Sequence, residues 1–184
     1  MRVIAGSAKG MRLGRVPAGT RPLSDRAREG LFASLGADVS GAMCLDLFAG
    51  TGAVGIEALS RGAASCTFVD RSREAASAIR SNLQTTRLAE QAQVHAADVR
   101  TWLRRKGGIG SPYDLVFCDP PYDVDLAYLG ECLAALDEGW LAPDGWTVVM
   151  TRGQKGSLPA VPVHWAARRH LRYGDSLLIC YREV

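Results

Sequence analysis

The chain has 184 residues, of which 47% are hydrophobic and 22% charged, and a net charge of +3. That length fits one domain with at most a small appendage, and the apolar share excludes a disordered polymer. No stretch approaches the ~20 apolar residues of a membrane span, and the N-terminus lacks the apolar core and cleavage site of a secretory signal. A cytoplasmic globular protein with no membrane partner is expected. The five cysteines (Cys44, Cys66, Cys118, Cys132, Cys180) are odd in number and form no CxxC pair. They read as buried, reduced thiols. The three histidines (His95, His164, His170) show no metal-ligand spacing, so no metal site is expected.

The small net charge hides an asymmetry. Residues 1–28 carry seven basic side chains against one acid, a charge of +6, whereas the rest of the chain sums to −3. A cationic arm on a mildly acidic body suggests a nucleic-acid contact surface.

In chain order, residues 2–5 and 11–16 read as a hairpin, with Gly6, Ser7 and Gly10 between them. Pro17, Gly19 and Pro22 break the chain. Ser24 is a helix N-cap, and Ala27, Leu31, Phe32 and Leu35 then recur at helical spacing before Gly36. From Met43 strands and helices alternate. Strands are expected at 43–48, 65–69, 92–95, 114–118 and 146–151, with helices at 53–61, 72–83, 99–105 and 126–137. Short, nearly all-apolar strands separated by helices indicate a parallel sheet covered on both faces. Residues 161–171 and 176–182 break the alternation. Their short connection at 172–175 leaves no room for a crossover helix, so these two strands are antiparallel.

The first strand runs into Asp46-Leu47-Phe48-Ala49-Gly50-Thr51-Gly52-Ala53-Val54-Gly55, and Gly50, Gly52 and Gly55 match GxGxxG. Asp70 closes the second strand, where a carboxylate can bind a ribose diol. Asp46 lies inside the first strand, where an acid is costly without a partner. The ammonium of S-adenosylmethionine would be such a partner, which favours that ligand over NAD. Asp98 follows the third strand, placed either to accept from an adenine amine or to cap a helix.

The fourth strand ends in Asp119-Pro120-Pro121-Tyr122. Two prolines fix φ twice and remove two N–H donors, leaving a stiff ledge. The Asp119 carboxylate and the Pro120 carbonyl can both accept from an exocyclic NH2, and the Tyr122 ring offers a face for a flat base.

These elements in this order resemble the class I adenosylmethionine-dependent methyltransferases. Residues 2–6 (Arg-Val-Ile-Ala-Gly), the block 21–32 (RPLSDRAREGLF) and the tail 173–178 (YGDSLL) narrow the resemblance to the bacterial RsmD family. Leu23-Ser24 stands where two threonines are common, and the serine keeps a hydroxyl. The resemblance implies an α/β, Rossmann-like fold. It has a mostly parallel seven-stranded sheet with one antiparallel strand near the C-terminus, plus a small N-terminal hairpin and helix. It also implies an RNA-contacting extension at 1–36 on a methyltransferase domain at 37–184.

The activity implied is methyl transfer from S-adenosylmethionine to the exocyclic N2 of one guanine in 16S ribosomal RNA, free or in a 30S particle, by a monomer. Asp119, Pro120, Pro121 and Tyr122 are then catalytic. Asp46 would take the methionine ammonium, Asp70 the ribose and Asp98 the adenine. Gly50, Thr51, Gly52, Arg71 and Val99 complete the donor site. Arg12, Arg15, Arg21, Ser24, Asp25, Arg26 and Arg28 would face RNA. Four other readings compete: an adenine-N6 DNA methyltransferase, a protein-glutamine methyltransferase, an NAD-dependent oxidoreductase and a non-catalytic ribosome-assembly factor.

Overall fold

The computed structural model describes residues 1–14, 22–105 and 112–184. Helix α1 (Asp25–Leu35) starts where the Ser24 hydroxyl accepts from the Ala27 N–H, and its apolar stripe of Ala27, Leu31, Phe32 and Leu35 is buried. Strand β1 (Met43–Leu47) leads into α2 (Ala53–Ser60), followed by β2 (Ser65–Asp70) and α3 (Arg73–Thr86). Strand β3 (Ala92–Ala96) precedes the short α4 (Val99–Leu103), which ends two residues earlier than the sequence pattern suggests. Strand β4 (Leu115–Cys118), α5 (Leu126–Asp137) and β5 (Thr147–Gly153) complete the alternation. The closing pair is β6 (Trp165–Tyr173) and β7 (Ser176–Glu183).

The seven strands lie in the order β3-β2-β1-β4-β5-β7-β6. Strands β1 to β5 pair in parallel, and β7 runs antiparallel to both β5 and β6. One reversed strand is the arrangement expected from the tight connection after β6. Only residues 174–175 join β6 to β7, so the two must fold back on each other. The order reverses direction at β1, which puts the C-terminal ends of β1 and β4 at a topological switch point, where ligands of open α/β sheets bind.

The expected N-terminal hairpin is present in short form: Arg2 pairs antiparallel with Arg12, Val3 N–H donates to the Met11 carbonyl at 3.0 Å, Gly10 N–H to the Val3 carbonyl at 2.9 Å and Leu13 N–H to the Met1 carbonyl at 3.1 Å. Of the second strand expected at 11–16, residues 15–16 lie outside the described residues. The segment is also fastened to the body. The Ile4 and Ala5 N–H groups donate to Glu57 at 2.8 and 3.0 Å, Ala8 N–H donates to the Ser60 hydroxyl, and Gly14 N–H donates to Asn82. Val3, Ala8, Leu13, Leu31 and Phe32 share one apolar cluster with Cys44, Ile56 and Phe68 of the sheet layer.

A second cluster fills the opposite face, from Leu45 and Leu47 to Leu133, Trp140 and Ile179. All five cysteines are buried free thiols, and burial pushes the thiol pKa of each upward. Among the described residues no helix is long and apolar enough to cross a membrane.

Candidate active site

The glycine-rich turn leaves β1 through Phe48, which adopts φ +58°, and passes through Gly52 at φ +73° before α2 begins. A left-handed phenylalanine is strained, a cost of order 1–3 kcal/mol that such sites tolerate. Gly55 has a different task. A Cβ there would lie 2.4 Å from Phe68 and 2.7 Å from the Cys66 sulfur, so the glycine lets α2 sit directly on β2.

Three carboxylates converge on this turn. Asp46 is buried, and its carboxylate accepts from Gly55 N–H at 3.0 Å. Burial, foremost, and the nearby charges of Asp119 and Asp70 push its pKa well up against the pull of that hydrogen bond. Asp70 accepts from Gly50 N–H and from Ser72 N–H, both at 2.9 Å, and so ties the turn to the start of α3. Asp119 is half-buried. Burial raises its pKa to about 6, against a partial offset from the Thr151 hydroxyl that donates to it. A buried carboxylate raised by two neighbouring carboxylates marks a poor site for an anion and a good one for a cation. A ligand bearing an ammonium and a sulfonium meets that requirement, and a pyrophosphate does not. Among the described residues no cluster of His, Cys, Asp and Glu is arranged to hold a metal ion.

Asp98 is the N-cap of α4. One oxygen accepts from the Thr101 N–H and hydroxyl, and the other from the Tyr128 hydroxyl at 2.8 Å. Burial opposes ionisation, but these hydrogen bonds and Arg100 outweigh it and hold the carboxyl below its usual range. The cap role is therefore filled, and an adenine amine would share the remaining lone pairs. The Val99 side chain belongs to the core, leaving only its backbone to face a ligand. Thr51 is buried, and its carbonyl accepts from Asn82, while Arg71 is exposed.

An open cleft of about 410 Å³ lies beside the Asp-Pro-Pro-Tyr ledge. Its lining draws on three distant parts of the sequence: Pro22 to Arg26, Asp119 with Tyr122, and Arg172 to Ser176. The Tyr122 and Ser176 hydroxyls are 2.9 Å apart, and the Tyr122 ring lies over Gly153. Strand β5 supports the ledge from below. Thr151 serves Asp119, and the buried Arg152 points Nη1 and Nη2 at the carbonyls of Pro121 (3.5 Å) and Tyr122 (3.3 Å).

One expectation is overturned. Arg28 does not face RNA. It is fully buried, donates to the Asp25 carboxylate at 2.6 Å and to the Arg2 and Ala53 carbonyls, and lies 3.8 Å from Glu57. A guanidinium held this way braces α1 against the body. Asp25 is its partner, and Ser24 caps the helix while also lining the cleft. Arg12 and Arg26 are exposed, whereas Arg15 and Arg21 lie outside the described residues. Sequence reasoning missed Glu57, Asn82, Thr151 and Arg152. The signal for Glu57 is a lone acid in an otherwise apolar helix, AVGIEALS. For Arg152 it is a charge closing an apolar strand.

Comparison with known proteins agrees with this geometry. A sequence profile described as Conserved hypothetical protein 95 matches residues 1–182. The ribosomal RNA small subunit methyltransferase D of Escherichia coli K12 is 40% identical over 185 residues, covering 99% of this chain and 88% of that protein. The solved structure of yhhF from Escherichia coli superposes with a TM-score of 0.85 at 35% identity, covering 100% of this chain and 97% of that one. A Streptococcus mutans protein described as adenosylmethionine-dependent shares the fold. Its TM-score is 0.71 at 14% identity, with 85% of this chain and 48% of that one covered.

Proposed function

This chain belongs to the RsmD family, and from that membership we propose that it methylates the exocyclic N2 of one guanine in 16S ribosomal RNA. It is a methyltransferase whose methyl donor is S-adenosylmethionine. The carrying observation is the cleft, which joins Ser24 and Arg26, the Asp119–Tyr122 ledge and the 173–176 turn around one opening. On this reading residues 1–36 are an RNA-contacting extension of a methyltransferase domain at 37–184. The protein works as a cytoplasmic monomer on RNA that is free or within a 30S particle.

The donor supplies an electrophilic methyl on a cationic sulfur. The residues that would hold it are Asp46 toward the ammonium, Asp70 toward the ribose, the backbone of Gly50, Thr51 and Gly52, and the segment from Asp98 to Val99. The chain's own contribution is placement, which supplies most of the rate in a displacement between bound partners. Asp119 and the Pro120 carbonyl accept from the NH2 of the guanine and aim its lone pair. The Asp119 carboxylate also stabilises the positive charge that develops on that nitrogen as the new bond forms. Tyr122 supports the base, which must leave its stack to reach the ledge. Arg12 and Arg26 meet the phosphates.

The test measures radiolabelled methyl incorporation into free 16S RNA, 30S subunits and duplex DNA, with Asp119→Ala as control. The expected result is label at guanine N2 in RNA or subunits and its loss in the variant. Label in DNA alone, or undiminished activity of Asp119→Ala, overturns the reading.

A further inference from the structure

Strand β6 has features that the cleft alone does not explain. Its nine residues hold Arg168, Arg169, His170 and Arg172 and no acid, and it forms one edge of the sheet. All four side chains are exposed. Arg169 is committed elsewhere, donating to the carbonyl and hydroxyl of Ser34 in α1. Tyr173 packs on Gly30 of the same helix, where a Cβ would fall 1.8 Å from its hydroxyl. These contacts fasten β6 to α1 and bring Arg172 into the lining of the cleft that also contains Arg26.

The register then sets the direction of the strip. His170 pairs with Ile179 and Arg172 with Leu177, so both project from the same face of the sheet, two residues and roughly 7 Å apart. A register shift between Ala167 and Arg169 sets Arg168 as the extra residue of a bulge. Arg168 spends one Nη2 contact on the Glu183 carbonyl at 3.1 Å, and the rest of its fork is uncommitted among the described residues. Arg172 has no hydrogen-bond or ion-pair partner among the described residues.

We propose that Arg172 and Arg168, with His170 between them, form a phosphate track along β6. It holds the ribosomal RNA strand next to the target nucleotide while the base occupies the Asp119–Tyr122 ledge. The inference rests on the methyltransferase reading above and adds a second cationic wall to the one supplied by Arg12 and Arg26. Guanidinium groups suit the task because their planar forks match phosphate oxygens and stay charged. A flipped base leaves its flanking phosphates at the mouth of its pocket, and Arg172 stands at that mouth.

Charge on an edge strand can also serve only to block strand-to-strand aggregation. The two roles differ in what they do to RNA. The test compares wild type with Arg168→Gln/Arg172→Gln, Arg172→Gln alone, Arg172→Lys, and Arg80→Gln on α3 as a charge-matched control. Binding to 16S RNA is measured across a salt series, and methyl incorporation at saturating donor.

Losing two phosphate contacts should flatten the plot of log affinity against log salt by roughly 1.4 on single-stranded RNA. The single variant should lose about half of that, Arg172→Lys should keep most of the slope, and Arg80→Gln should keep all of it. KM for RNA should rise with kcat at saturation little changed. A double variant with the wild-type slope overturns the track, and so does an equal loss in Arg80→Gln. Absence of wild-type incorporation refutes the methyltransferase reading separately, since the salt slopes are scored without turnover.

Discussion

Asp119→Asn sets function against stability at a single atom pair. In the folded protein the Asp119 carboxyl titrates near 6, whereas an ordinary aspartate titrates at 3.8. A tenfold change in proton affinity is worth about 1.36 kcal/mol, so at neutral pH the ionised side chain costs the fold about 3 kcal/mol. The folded protein binds this proton more tightly than the unfolded chain. Stability from this group is therefore fully present below pH 3.8, declines as pH rises, and is gone above about 6. The asparagine cannot ionise, and its amide oxygen can still accept from Thr151. The stability difference between variant and wild type should thus grow in favour of the variant by roughly 2 kcal/mol from pH 4 to pH 7. Urea unfolding followed by circular dichroism at several pH values measures it, and effects of other groups cancel in the difference. Methyl transfer should fall at least about 100-fold, since a positioned charge is lost where charge develops. A difference that is flat with pH, or one that moves against the variant as pH rises, refutes the claim that burial of this carboxylate is a functional strain.

Four further outcomes follow from the same contacts. Below pH 6 the rate of single-turnover methyl transfer by the wild type should drop about tenfold per pH unit as Asp119 protonates, and a flat profile from pH 5 to 7 would exclude it as an acceptor for the amine. Glu57→Ala removes the buried acceptor for Ile4, Ala5 and Arg61 and the second carboxylate beside Arg28, which keeps Asp25, so unfolding should show a loss of about 3–5 kcal/mol, and a loss under 1 kcal/mol would mean the network contributes little. Arg152→Lys cannot reach both the Pro121 and Tyr122 carbonyls. It should cut kcat by roughly 10- to 100-fold with donor affinity unchanged in calorimetry, while weakened donor binding would place Arg152 in a different role. Gly55→Ala forces a methyl against Phe68 and Cys66, which should lower stability by about 1–3 kcal/mol, and a neutral thermal shift would show that α2 can move away from β2.

Much of the scaffold was legible because it is local. Alternating apolar strands and helices from Met43, the Ser24 cap and the Asp119-Pro120-Pro121-Tyr122 ledge are each set by neighbours within a few residues. The same holds for the reversed strand, because two residues cannot carry a crossover. Arg28 shows the limit. As one of seven basic residues in a cationic segment it reads as a phosphate contact, yet it is wholly buried beside Glu57 and Asp25. Charge pattern records how many cations a segment has and says nothing about which of them point inward. Asp98 shows the reverse case, where a local role in capping α4 was one of two open readings and the structure fills it.

The sequence by itself determined the order of elements, the direction of the strands, and the residue types at the ends of β1, β2 and β4. Those depend on periodicity, capping and turn length, which act over short distances. Only the tertiary structure decided which charges work together. It placed Arg26, Asp119 and Arg172, from three distant parts of the chain, around one cleft. It also buried Glu57 under the N-terminal segment, and set Thr151 and Arg152 beneath the ledge. The physical reason is that burial and electrostatic coupling act through space, and sheet order, not chain order, sets those distances.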